Sequence, residues 1–158
     1  NLDALIDTTN VEKIESMIFK SCEYKINIVL QDQFDNHKRM LLNFGHTIGH
    51  ALETYFANKK ISHGQAIYYG MIIESLVSFE LGYLPKEQFN HIRDSLRSII
   101  TFQIHSVDEK EVYKLIKHDK KQLRNKMHFI ILNQIGDAII KKNIQPKIII
   151  NSIKKILG

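Results

Sequence analysis

The chain has 158 residues, 44% of them hydrophobic, with a formal net charge of +5. That is one domain or slightly more, with material for a real core, and the single cysteine, Cys22, excludes a disulfide framework or a Cys-rich zinc module. No apolar run approaches the roughly 18 residues of a membrane span, and no basic stretch precedes an apolar one at the N-terminus.

One cysteine suits a reducing compartment, so a soluble, cytoplasmic protein is expected, without a membrane partner. The chain opens on Asn1 rather than Met, which leaves a fragment or a processed product as readings. The positive charge invites a nucleic-acid partner. The lysines argue against one, because they fall in scattered pairs (Lys59-Lys60, Lys120-Lys121, Lys141-Lys142, Lys154-Lys155) without interleaved aromatics. An anionic small molecule accounts for the surplus equally well.

In chain order, residues 10–31 are expected to form one long helix, capped by Thr9 or Asn10, with an apolar stripe from Val11, Ile14 and Ile18 to Ile26, Val29 and Leu30. Asp32 to Asn36 is a polar break. A second helix is expected from about Lys38 to Ala57, carrying Leu41, Leu42, Ile48, Leu52 and Tyr55. Asn58 to Ser62 reads as a loop. A third helix starts near His63 and ends at Gly82, and a fourth opens at Pro85 and runs to about Ile99. Ser106 introduces a fifth over Val107–Lys117, with Asp108 and Glu109 in its first turn. The apolar run Met127–Leu132, the turn Gln134-Ile135-Gly136-Asp137 and Ala138-Ile139-Ile140 read as a small hairpin, and Pro146 opens a last helix to Leu157. The whole is mainly α, one domain over residues 1–158, with a hairpin at about 127–140. No strand–Gly-rich loop–helix unit is present, so this chain alone is not expected to bind NAD.

The most informative stretch is Asn43-Phe44-Gly45-His46-Thr47-Ile48-Gly49-His50, followed by Ser62-His63-Gly64. Histidines four apart share one helix face, and a third follows 13 residues after the second. Three imidazoles can then converge on one point, as they do around a divalent metal such as zinc. Gly45 and Gly49 cost on the order of 1 kcal/mol each against Ala inside a helix, so they need a reason. They remove side chains where the helix passes close to a ligand or to another backbone. Arg39, four before Asn43, would share its helix face and suits a carboxylate beside the metal. Lys25 reads equally as a buried-stem lysine or a ligand, and Lys120-Lys121 as a solvated helix end or an anion site. His37, His91, His105, His118 and His128 read as incidental.

The segment Lys38-Arg39-Met40-Leu41-Leu42-Asn43 through His46 and His50 to Glu53 resembles the signature of the 3-dehydroquinate synthase family, and Ser62-His63-Gly64 with Gly70-Met71 resembles its next motif. Ser21-Cys22-Glu23-Tyr24-Lys25, Asp119-Lys120-Lys121 and the Ile135-Gly136 hairpin extend the likeness over almost the whole chain. It is a likeness to the multi-helix C-terminal domain of the dehydroquinate synthase-like fold; the family's N-terminal NAD-binding domain has no counterpart in this sequence.

The resemblance implies a metal- and NAD-dependent carbon–oxygen lyase of aromatic amino acid biosynthesis. Such an enzyme turns 3-deoxy-D-arabino-heptulosonate 7-phosphate into 3-dehydroquinate and phosphate. It does so by transient alcohol oxidation, phosphate elimination, re-reduction and an intramolecular aldol closure. By motif position, His46 and His63 match two metal ligands (zinc or cobalt), and the third, a Glu, would precede Asn1. His50 matches a substrate-contacting residue rather than a ligand. Lys25, Arg39 and Asn43 match residues that hold the substrate's carboxylate and hydroxyl oxygens, and Lys120 or Lys121 the one that holds phosphate. His50 and Lys25 take the catalytic roles. The full-length enzyme is implied to be a homodimer acting on a sugar phosphate, and this chain alone to be inactive. Gln65 and Asp35 stand where the family usually has Glu; Gln65 would remove a carboxylate from behind the metal. A related cyclase, such as a 2-deoxy-scyllo-inosose synthase, is the nearest alternative. A glycerol-dehydrogenase-like metal enzyme fits the doubled Gly-His string poorly, and a basic helical binding module without enzymatic activity is the alternative of another class.

Overall fold

The structure, a computed structural model, describes residues 10–34, 38–57, 61–122 and 128–158, with the side chains of 119–122 outside that description. The chain divides into two compact units, Asn1–Leu42 and Asn43–Gly158.

The first unit is built on helix α1, Val11–Gln31. The Asn10 side chain caps it by accepting from the Lys13 amide at 3.1 Å, satisfying a donor that the first turn leaves over. Asp32 ends α1, and its carboxylate accepts from the Arg39 amide at 3.0 Å. The Arg39 guanidinium donates to the Gln33 carbonyl at 3.2 Å, and Lys38 reaches Gln31 at 2.6 Å. Asp35 and His37 lie outside the described residues.

The expected helix over 38–57 is broken. Residues Lys38–Asn43 form a 3-10 helix, and Gly45 takes a left-handed φ of 81° before α2, His46–Tyr55, begins. A right-handed helix cannot pass through that angle, and only glycine adopts it without strain. The break also removes the shared-face argument for Arg39 and Asn43. With three residues per turn, positions four apart no longer align.

In the second unit, α3 (His63–Glu80) is the central helix. It is buried on nearly all sides from Ala66 to Ser78, and it touches α2, α4 (Lys86–Arg97), β1 (His128–Gln134) and α6 (Pro146–Leu157). A helix apolar all round belongs inside a bundle rather than on its surface. Ile48 and Leu52 of α2, Ile72, Ile73 and Val77 of α3, Phe129 and Ile131 of β1, and Ile149 and Ile153 of α6 form one core with Val112 and Ile116 of α5 (Glu109–Gln122). Each such side chain contributes about 1.5–3 kcal/mol on burial.

Helix α5 starts later than expected and runs on past Lys117. Asp108 rather than Ser106 caps it, its carboxylate accepting from the Lys110 and Glu111 amides at 2.9 and 3.0 Å. Strand β2, Asp137–Lys142, pairs antiparallel with β1 as expected, Ile130 facing Ile140 and Ile131 facing Ile139, with Gly136 (φ 90°) in the turn. Side chains of α2, α3 and α4 seat this hairpin, the Gln88 carbonyl of α4 accepting from the Ile135 amide at 2.7 Å. The Ser78 hydroxyl accepts from the Leu132 amide at 3.0 Å, and the Thr47 hydroxyl donates to the His128 carbonyl at 2.9 Å. No helix of the described residues is long and apolar enough to cross a membrane.

Candidate metal centre

The first residues of α2 and α3 are both histidines, and the packing of these helices brings them together. Glycine makes the approach possible. A Cβ on Gly70 would collide with the Gly45 carbonyl oxygen, and one on Gly49 would lie 2.5 Å from Ile67 Cδ1. Of the two reasons for the glycines in the motif, close approach to another backbone is therefore the one realised.

His46, His50 and His63 present nitrogens that all lie within 4.8 Å of one another. Ring centroids are 5.4 Å apart for His46–His50, 5.6 Å for His46–His63 and 5.8 Å for His50–His63. Nitrogens on a tetrahedral zinc at about 2.1 Å would stand roughly 3.4 Å apart, so small ring rotations close the set. Imidazole nitrogen suits zinc and cobalt, and the donor set fits such an ion.

The three rings are not equivalent. His46 Nδ1 lies 3.3 Å from the Phe44 carbonyl, and His63 Nδ1 lies 3.1 Å from a Glu53 carboxylate oxygen. Both partners only accept, so in a neutral ring so placed Nδ1 carries the proton and Nε2 keeps its lone pair. The His50 ring has no such oxygen partner among the described residues. Burial of His46 pushes its pKa below the ordinary 6.5, and the neighbouring His50 and His63 rings add to this against the Phe44 carbonyl and Glu53, which favour the charged form. A neutral imidazole is the form that binds metal.

Asn43 is exposed at the end of the 3-10 helix, three residues before His46. Lys25 lies on α1 and Arg39 in the 3-10 helix, both in the first unit. Lys120 and Lys121 fall in the last turn of α5, their side chains outside the described residues.

Sequence reasoning missed Glu53 and Glu74. Glu53 sits seven after His46, two turns along the same face, which was the available signal. Glu74 is fully buried and accepts from the Gly45 amide at 3.1 Å; a lone carboxylate in the apolar run from Ile72 to Val77 was its signal. Gln65, expected as a lost carboxylate behind the metal, faces elsewhere. Its carbonyl accepts from the Thr101 and Phe102 amides at 2.8 and 3.1 Å. The carboxylate behind His63 comes from Glu53 instead.

The pattern of the family described as 3-dehydroquinate synthase C-terminal matches residues 1–122. The 3-dehydroquinate synthase of Campylobacter jejuni subsp. doylei is 34% identical over 151 residues, covering 94% of this chain and 42% of that protein. That of Clostridium botulinum is 35% identical over 132 residues, covering 83% of this chain and 38% of that protein. The chain thus spans about two fifths of the relatives it matches. Among solved structures, a 2-deoxy-scyllo-inosose synthase complexed with carbaglucose-6-phosphate, NAD+ and Co2+ superposes with a TM-score of 0.80 at 22% identity, over 92% of this chain and 42% of that one. The 2-epi-5-epi-valiolone synthase of Streptomyces hygroscopicus, with NAD+ and Zn2+ bound, gives 0.77 at 14% identity, over 96% and 42%. The mainly helical fold with one hairpin is theirs, and the sequence match places the chain in the 3-dehydroquinate synthase C-terminal family.

Proposed function

We propose that this chain is the metal- and substrate-binding part of a 3-dehydroquinate synthase. The complete enzyme cyclises 3-deoxy-D-arabino-heptulosonate 7-phosphate to 3-dehydroquinate with loss of phosphate, and its NAD is bound by a segment outside this chain. The observation that carries the reading is the convergence of three imidazoles, two of them with Nδ1 held by oxygen.

His46 and His63 hold a zinc or cobalt ion through Nε2, each ring fixed from behind by its oxygen partner. When bound, the ion supplies Lewis acidity to the substrate's hydroxyl oxygens. His50, whose ring has no oxygen partner among the described residues, is the group that takes or returns a proton at the substrate. Asn43 binds a hydroxyl oxygen by its amide. Lys25 and Arg39 bring positive charge to the substrate carboxylate, Arg39 with the planar fork that matches two oxygens, and Lys120 or Lys121 holds the phosphate. The activity belongs to the complete homodimeric enzyme, with the catalytic work of this part carried by His50 and Lys25.

Supplied with 3-deoxy-D-arabino-heptulosonate 7-phosphate, NAD and zinc, the complete polypeptide that carries this chain should release phosphate and form 3-dehydroquinate. A different carbocyclic product from another sugar phosphate, with none from this one, would assign the chain to a sister cyclase.

A further inference from the structure

We propose that Glu53 is a positioning residue: its carboxylate holds His63 as the Nδ1–H tautomer and thereby aims Nε2 at the metal. The inference rests on the reading that His63 is a metal ligand. Its own ground is geometric. Glu53 Oε2 stands 3.1 Å from His63 Nδ1, with the glutamate side chain 31% exposed and the histidine 58%. The two residues belong to different helices. Glu53 rides on α2, two turns beyond His46, and His63 opens α3. One helix therefore carries a metal ligand and also the clamp for the ligand on its neighbour.

An unconstrained imidazole favours the opposite tautomer, with its proton on Nε2 and its lone pair on Nδ1. Turned that way, His63 would offer a proton where a ligand must offer electrons. A carboxylate behind a ligating imidazole also raises its basicity and fixes the ring plane, and loss of such a partner typically weakens metal affinity about 10–100-fold. His46 needs no side chain for this, because the Phe44 carbonyl accepts its Nδ1–H. His63 is the more exposed ring at the head of its helix, with Glu53 in that place.

The test uses the full 158-residue chain, labelled with 15N at its histidines and kept metal-free above pH 8, compared as wild type, Glu53→Gln and Glu53→Ala. Glu53 is at the surface, so circular dichroism should show all three folded. The ring nitrogen shifts of His63 should report Nδ1–H in the wild type and in Glu53→Gln, whose amide oxygen still accepts, and a change to Nε2–H in Glu53→Ala. Zinc titration of the complete polypeptide that carries this chain, against a chelating dye, should then show affinity down roughly 10–100-fold in Glu53→Ala and far less in Glu53→Gln. The same His63 tautomer in wild type and Glu53→Ala would overturn the proposal. So would a Glu53→Gln loss as complete as that of His63→Ala, which would make Glu53 a ligand itself. Tautomers that behave as stated in a complete polypeptide that takes up no zinc would instead overturn the metal reading of the site.

Discussion

The Gly45 amide donates to the Glu74 carboxylate at 3.1 Å, fastening the turn before α2 to the buried middle of α3. Glu74 is 0% exposed, so water cannot take its place. Glu74→Gln keeps an acceptor and should fold. Glu74→Ala leaves the Gly45 amide without that oxygen, a loss of about 1–3 kcal/mol before any cavity is counted. Urea unfolding should show that gap between the two variants, and equal midpoints would deny Glu74 the role.

Gly70→Ala drives a methyl into the Gly45 carbonyl, while nothing lies within 4 Å of a Cβ at Gly64. The first change should cost several kcal/mol, since backbone cannot rotate away as a side chain can. Gly64→Ala should be neutral or stabilising by up to about 1 kcal/mol, from reduced freedom in the unfolded chain. Melting temperatures of the two variants decide the matter, with the reverse order counting against the packing described.

Acid should weaken the metal-free fold through His46. Its folded pKa lies below the ordinary 6.5, chiefly because burial disfavours the imidazolium. As pH falls through about 6.5 the unfolded chain takes up the proton first. It then binds more protons than the native state, and stability declines until the pH passes the folded value. Comparing pH 7.5 with pH 5.5, the wild type should lose stability, and His46→Gln should lose measurably less. An identical slope for both would show that His46 contributes nothing to it.

The histidines should divide their labour in the complete enzyme. His46→Ala and His63→Ala should each lose metal, since each removes a ligand, and His50→Ala should keep metal and lose turnover. Metal analysis alongside steady-state rates separates the two outcomes. Metal lost from His50→Ala as completely as from His46→Ala would redraw the site as a three-histidine centre.

Chelator should leave the chain's helicity and melting point nearly unchanged, because the core of Ile48, Ile72, Phe129 and Ile149 packs without reference to the histidines. About 1 kcal/mol moves a protein of this size by only a few degrees. A fall of ten degrees or so on chelation would reveal a metal that holds the fold together.

Periodicity made α3, α4, α6 and the hairpin readable, since each buries a stripe, a strand face or a whole surface that the sequence displays. Helix α1 forms as its period predicts, but none of its residues is buried, and Val11, Ile18, Ile26 and Leu30 of its stripe are exposed. The break at Gly45 was not readable in the same way. Leu41, Leu42, Ile48 and Leu52 carry an apolar period straight through it, and the cost of glycine in a helix reads as a close approach to a ligand or backbone when at Gly45 it also marks a helix boundary. The cap of α5 depended on distance in space. Ser106 and Asp108 are both good caps by type, but the Tyr55 hydroxyl accepts from the Asp108 amide at 3.0 Å, a partner 53 residues away. The histidine cluster was legible as spacing. Its oxygen partners were not, because Phe44 acts through a carbonyl that every residue has, and Glu53 only through a neighbouring helix.

Seen from Gly70, the nearest atoms, those of Gly45 and Gly49, are backbone. At that point no side-chain torsion intervenes between the two backbones, and the Met71 and Ile67 side chains pack beside it. How closely α2 and α3 approach is therefore limited at Gly70 by main chain. An ion binding beside it would meet a backbone frame whose ordering entropy was lost on folding, and would have the imidazole rings of His46, His50 and His63 to settle.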